Sequence, residues 1–173
     1  AEDFSAKRMM RVMERYLSQV PLFQYLSAAQ LKTIGSCCEL LRFHKGDVVF
    51  DEGDPATFVW VVKRGWVYLV KRTPQGGLAT IFAMTPDEAL CGVSAFDHGT
   101  YSAAAIAATD SQIIKIPSDV FADAMEQHPP FARQVLLVCC TRMRHMAEAI
   151  SLSAAPVEQR IAYMLLRLRT TFV

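Results

Sequence analysis

Apolar residues recur every three or four positions at the start of the chain. Met9, Met10, Val12, Met13, Tyr16, Leu17 and Val20 follow that spacing and predict an amphipathic helix, which Pro21 ends. Ser27 stands as an N-cap to a second helix over 28–38, with Leu31, Ile34 and Cys38 on one face. The period then changes. Short β-branched and aromatic runs at 40–44, 48–50, 58–62, 66–70, 78–84, 101–108 and 111–116 alternate with turn residues. Gly46, Gly53, Gly65 and Gly76 fall 7, 12 and 11 residues apart, the rhythm of an antiparallel sandwich or roll. Each glycine sits where a tight turn needs a positive φ.

After Pro117 the helical period returns. Ser118 is an N-cap candidate for a short helix carrying Val120, Phe121, Ala124 and Met125, and His128-Pro129-Pro130 closes it and opens the next. From Phe131 to about Ser153 there is neither Gly nor Pro. A helix of that extent spans roughly 35 Å, at 1.5 Å per residue. Leu136, Cys140, Met143, Ala147 and Ile150 step by 4, 3, 4 and 3, a heptad seam. A second stripe, Val135, Val138, Cys139, Met146 and Ala149, is expected to face inward. Burial in one core would account for a single stripe. Two stripes on a helix long enough to overhang its own domain favour a homodimer seam. Pro156 breaks the pattern, and 157–168 reads as a shorter amphipathic helix with Ile161, Met164, Leu165 and Leu168 on one face.

Composition narrows the function classes. In 173 residues, 18 Lys and Arg oppose 17 Asp and Glu, for a net charge of +1. A whole-chain nucleic-acid or membrane-surface binder would carry a large positive excess. At 52% apolar and 20% charged the chain is too apolar for disorder. Its densest apolar run, Val135 to Cys140, is six residues, far short of a membrane span. No greasy N-terminal signal is present, so the expected compartment is the cytoplasm, with Cys37, Cys38, Cys91, Cys139 and Cys140 as free thiols. No CxxC pair or zinc-finger His spacing occurs. No P-loop, dinucleotide glycine motif or nucleophile elbow occurs either, and a binding protein is expected rather than an enzyme.

Two helices, an eight-strand-like roll and a long dimer-type helix resemble the sensor half of the Crp/Fnr family of bacterial transcription regulators. The residues that carry the resemblance are His44-Lys45-Gly46-Asp47-Val48-Val49-Phe50-Asp51-Glu52-Gly53-Asp54-Pro55-Ala56 and Val61-Val62-Lys63-Arg64-Gly65-Trp66-Val67-Tyr68-Leu69. The stretch Glu158-Gln159-Arg160-Ile161-Ala162-Tyr163-Met164-Leu165-Leu166-Arg167-Leu168 resembles the family's lead into its DNA-reading domain. The resemblance implies an α+β fold, a cyclic-nucleotide-binding-type β-roll or jelly roll flanked by N-terminal helices and a long C-terminal dimerisation helix. The expected organisation is N-terminal helices at 1–39, the roll at 40–117, a short helix and Pro-Pro turn at 118–130, the dimerisation helix at 131–155, and at 156–173 the start of a linker to a helix-turn-helix domain. Too few residues follow Leu168 for a three-helix reader, so DNA contact is expected only through a domain absent from this chain.

The resemblance also directs attention to the effector pocket. Cyclic-nucleotide binders of the family hold the ribose with a Gly-Glu pair and the phosphate with an Arg-Ser pair. Ungapped alignment puts Cys91-Gly92 at the first pair, with Val93 next, and Tyr101-Ser102 at the second. Without the Glu and the Arg, tight cyclic AMP binding is not expected, since a lost charge-assisted phosphate contact costs of order 2–5 kcal/mol. His145 and Met146 fall where the family's long helix meets the base. Cys91 falls where the carbon-monoxide-sensing branch ligates heme, and 73–96 resembles the nitric-oxide-sensing branch. Cys91 and His145 are therefore the candidate heme ligands. A small apolar or anionic effector, a gas read through heme, and no effector at all remain alternatives. A stand-alone module regulating a partner protein is the rival to a transcription regulator.

Overall fold

The structure, a computed structural model, describes residues 2–90, 99–152 and 155–171. The chain divides into two compact units, 1–135 and 136–173.

The first unit opens with α1 (Glu2–Leu17), a 3-10 turn (Pro21–Phe23) and α2 (Ala28–Cys37). The cap expected at Ser27 is a full capping box. Its hydroxyl accepts from the Gln30 backbone N–H and the Gln30 side chain accepts from the Ser27 N–H, which satisfies two donors that a helix start leaves open. Met13, Leu17 and Val20 are buried while Val12 is exposed. The α1 stripe thus does face the core, although the helix ends at Leu17 and Val20 caps the following turn.

Eight strands follow: β1 (Glu39–Phe43), β2 (Val48–Phe50), β3 (Phe58–Arg64), β4 (Val67–Arg72), β5 (Leu78–Met84), β6 (Ala89–Leu90), β7 (Ala104–Ala107) and β8 (Ser111–Pro117). They pair antiparallel in two four-stranded sheets, ordered β1-β8-β3-β6 and β2-β7-β4-β5. Between the sheets lie Phe50, Trp60, Val62, Val67, Met84, Leu90, Tyr101, Ala105 and Ile113. On the opposite face of the first sheet Val59, Val61, Ile114 and Ile116 are also fully buried. That explains why the start of β3, Phe58 to Val62, reads as a continuous apolar run rather than an alternation.

α3 (Ser118–Gln127) and α4 (Pro129–Leu152) come next. Ser118 is not the N-cap that its residue type suggests. Pro117 holds that position without a side-chain cap, and the buried Ser118 hydroxyl donates instead to the Ala56 carbonyl at 3.1 Å. The first turns of α4 anchor in the first unit, where Phe131 stacks on Phe23 at 5.8 Å between ring centroids and meets Phe121 edge-on at 5.2 Å.

The second unit holds the rest of α4 and α5 (Val157–Thr171). The Tyr163 hydroxyl donates to the Glu148 carboxylate and so ties the two helices together. The second stripe fades along α4: Val135 is buried and Val138 and Cys139 are half-buried, but Met146 and Ala149 are exposed. The expected inward face therefore stops at Cys139. Cys37, Cys38, Cys139 and Cys140 are free thiols.

All four turn glycines have positive φ. At Gly65 the demand is double. Its φ is +86°, and an added Cβ would lie 2.3 Å from the Ser111 hydroxyl and 2.6 Å from the Asp110 carbonyl. Gly65→Ala is expected to cost about 2–4 kcal/mol, combining backbone strain with overpacking, read as a lower urea midpoint at unchanged slope. Gly46→Ala has open space around its Cβ and should lose distinctly less.

Candidate functional site

The segment to which the resemblance points is framed by two well-fixed turns. On its N-terminal side, Glu88 accepts from the Thr85 N–H at 2.7 Å and from the Thr85 hydroxyl at 2.9 Å. Asp87 adopts a left-handed φ of 69°, held by its own N–H to the Val62 carbonyl (2.9 Å) and by the Tyr16 hydroxyl donating to its carboxylate (2.6 Å). Burial first, and the Asp87 carboxylate second, push the Tyr16 hydroxyl well above its ordinary pKa. α1 is thereby locked to the turn that leads into β6. Cys91, Gly92 and Val93 lie outside the described residues.

On the C-terminal side, Thr100 bridges Pro55, and the Tyr101 backbone exchanges hydrogen bonds with Gly53 and Asp54 at 2.9 Å each. The Tyr101 side chain turns into the roll. Its ring stacks on Phe50 with centroids 4.0 Å apart. Its hydroxyl accepts from the Trp60 indole N–H at 3.0 Å and donates to the Phe58 carbonyl at 2.8 Å. The residue is 4% exposed, and desolvation raises its pKa. Tyr101, named from the sequence as an effector contact, is thus a core residue with its one proton already given away. It cannot donate to a ligand's anion without breaking the bond to Phe58.

Ser102 is exposed, and its carbonyl accepts from Lys71 Nζ at 2.6 Å. Lys71 also pairs with Glu52 at 2.6 Å, and Arg72 pairs with Asp51 at 3.1 Å. The Lys71 ammonium holds the Glu52 carboxyl below its usual range. Lys115 Nζ lies 3.8 Å above the Phe58 ring and 4.0 Å from Glu39. Sequence reading missed Trp60, Lys71, Glu52 and Lys115. Trp60 reaches Tyr101 and Lys71 reaches the Ser102 carbonyl, while Glu52 joins through Lys71 and Lys115 through the Phe58 and Trp60 rings, and no local pattern marks them.

His145 is half-buried and Met146 exposed, both on the part of α4 that belongs to the second unit. The heptad positions on the same stretch are all exposed: Leu136 at 61%, Met143 at 69% and Ile150 at 69%, together with Cys140 and Ala147. Burial pushes the Cys38 thiol up to about 12, and the thiol donates to the Ile34 carbonyl. Among the described residues no group of three His, Cys, Asp or Glu side chains could hold a metal ion, and no helix is long and apolar enough to cross a membrane.

Comparison with known proteins agrees with this architecture. Residues 40–128 match the cyclic nucleotide-binding domain family. The chain is 24% identical over 161 residues to a CRP-like cAMP-activated global transcriptional regulator of Mycobacterium tuberculosis, covering 92% of this chain and 72% of that one. It is 29% identical over 129 residues to the transcriptional activator protein anr of Pseudomonas aeruginosa, covering 74% of this chain and 52% of that one. The crystal structure of the sensor domain of the transcriptional regulator DNR from Pseudomonas aeruginosa superposes with a TM-score of 0.71 at 25% identity, over 80% of this chain and 93% of that domain. The matched span takes in the roll from Leu40 onward and all of α3, and the chain belongs to the cyclic nucleotide-binding domain family.

Proposed function

We propose that this chain is the effector-sensing and dimerisation portion of a cytoplasmic Crp/Fnr-type transcription regulator, acting on DNA through a reader domain outside it. The observation that carries the reading is the exposed heptad seam on α4. Leu136, Cys140, Met143, Ala147 and Ile150 offer a self-complementary apolar face to a second copy. The same helix begins inside the first unit at Phe131 and Val135. An effector that favours one arrangement of the seam over another would reposition a reader attached beyond α5, provided its affinity differs between the two states. Coverage of the relatives supports a reader outside the chain. The chain accounts for 93% of an isolated sensor domain but 72% and 52% of two full regulators.

Cyclic AMP is a poor fit as that effector. Tyr101 stands where the family's phosphate Arg is aligned, and its hydroxyl is spent on Phe58. The neighbouring cations Lys71 and Arg72 are paired with Glu52 and Asp51. The ligand's anion would have to break one of these pairs to gain a partner.

Three outcomes are expected. Met143→Asp should sediment as a monomer at micromolar concentration while the unaltered chain sediments as a dimer, because two buried carboxylates would face each other across the two-fold. A dimer that survives the substitution would remove the seam. Isothermal titration with cyclic AMP should give no saturable heat in the micromolar range, and a micromolar affinity would refute the pocket argument. Tyr101→Phe should destabilise the fold by about 1–3 kcal/mol by leaving the Trp60 N–H and the Phe58 carbonyl unpaired, with a change in Trp60 emission in the native baseline.

A further inference from the structure

The first sheet carries a second chemical feature, far in character from the aromatic interior. Strand register aligns Leu40 with Ile114 and Ile114 with Val61, an apolar row across β1, β8 and β3. Two residues along, on the same face, the row becomes Arg42, Gln112 and Arg64. A β-bulge makes this possible. The register shifts between Val62 and Arg64, so Lys63 is the extra residue. Lys63 reaches the Tyr16 ring at 5.5 Å, while Arg64 takes the place opposite Gln112. Bulges re-aim side chains in this way. Two guanidinium groups and a carboxamide therefore stand on three adjacent strands.

They line a cleft of about 400 Å³, with Phe43, His44, Asp110 and Ser111 also in its wall. Neighbouring strands lie about 4.8 Å apart. The backbones of Arg42 and Arg64 are then roughly 10 Å apart, two strand spacings, close enough for both side chains to converge on one small group. Among the described residues neither arginine side chain has an ion pair or a hydrogen bond. The acids nearby are partly engaged by backbone: one Asp110 oxygen accepts from the Lys45 N–H at 3.0 Å, and one Asp47 oxygen from the His44 N–H at 2.7 Å. The Ser111 hydroxyl is spent on the Thr109 and Trp66 carbonyls.

We propose that Arg42, Gln112 and Arg64 form a binding site for a phosphate-type oxyanion, separate from the interior of the roll. Each guanidinium presents a planar fork that matches two oxygens of a phosphate group. Gln112 between them adds neutral N–H donors. Both arginines are solvent-exposed, so binding is in the millimolar range for the bare ion, and a ligand that also fills the cleft binds more tightly. The site needs neither the dimer seam nor an effector in the roll, and it stands or falls apart from the function proposed above.

The test is a titration of the intact chain with inorganic phosphate, followed by amide ¹H–¹⁵N spectra at neutral pH, with sodium chloride adjusted to hold ionic strength constant. Saturable shifts confined to Arg42, Arg64 and Gln112, including the Gln112 side-chain amide, are expected. Arg42→Met and Arg64→Met should each weaken binding at least fivefold, and the double variant should show no saturation. Lys71→Met, which alters a cation on the other sheet, should bind phosphate as the unaltered chain does. Dispersed spectra of the variants verify that they are folded, and Arg42→Lys should retain part of the affinity. Shifts that rise linearly, or that persist in the double variant, would overturn the proposal. Equal saturation by acetate would overturn the assignment to phosphate-type ligands.

Discussion

A roll of two sheets has to fill the space between them, and here the filling is fixed by one buried hydrogen-bonded chain. The Trp60 indole donates to the Tyr101 hydroxyl, which donates to the Phe58 carbonyl. The Trp60–Tyr101 bond is buried and the Tyr101–Phe58 bond part-buried, so each polar atom loses free energy if its partner is removed. The result is directional. Dispersion alone would let Phe50, Trp60 and Tyr101 slide over one another, but the two hydrogen bonds admit one arrangement. Because Tyr101 also exchanges backbone bonds with Gly53 and Asp54, the same chain sets how the polypeptide approaches β7, which begins at Ala104.

Periodicity made much of this architecture legible. The strands around Gly46, Gly65 and Gly76 could be read because a period of two, cut by residues that tolerate positive φ, has few other structural meanings. Ser27 could be read because a capping box is a local device, complete within four residues. β6, only Ala89–Leu90, was not read, since two residues carry no period. Ser118 misled because its hydroxyl had a long-range acceptor, the Ala56 carbonyl, in place of the local one. Tyr101 is instructive in another way. Alignment gave its position in the chain but not its rotamer, and the rotamer points into the core because Trp60 and Phe58 are there to receive it. The bulge at Lys63, which sets Arg64 beside Gln112, is equally invisible without the pairing register.

Near-zero net charge conceals a division of labour between the sheets. Around Ser102, Lys71 and Arg72 are matched by Glu52 and Asp51, so that end of the molecule is close to neutral. Across the first sheet, Arg42 and Arg64 stand without such partners among the described residues. The same composition could have been arranged as four ordinary surface pairs. Exposed pairs contribute at most about 1 kcal/mol each, so little stability is sacrificed by leaving two arginines open.

The seam on α4 is marginal by the same kind of arithmetic, and marginality suits the function proposed for it. Leu136, Met143 and Ile150 are 61–69% exposed. Burying such side chains gains about 1.5–3 kcal/mol each when complete, and less from a partly covered start. Two chains then contribute of order 10 kcal/mol gross, against an association cost of about 4–15 kcal/mol. A core of several more leucines would lock one arrangement, whereas the small Cys140 and Ala147 on either side of Met143 would leave its packing shallow. Two arrangements of such a seam differ by little, so a ligand with modest preference for one of them suffices to choose between them.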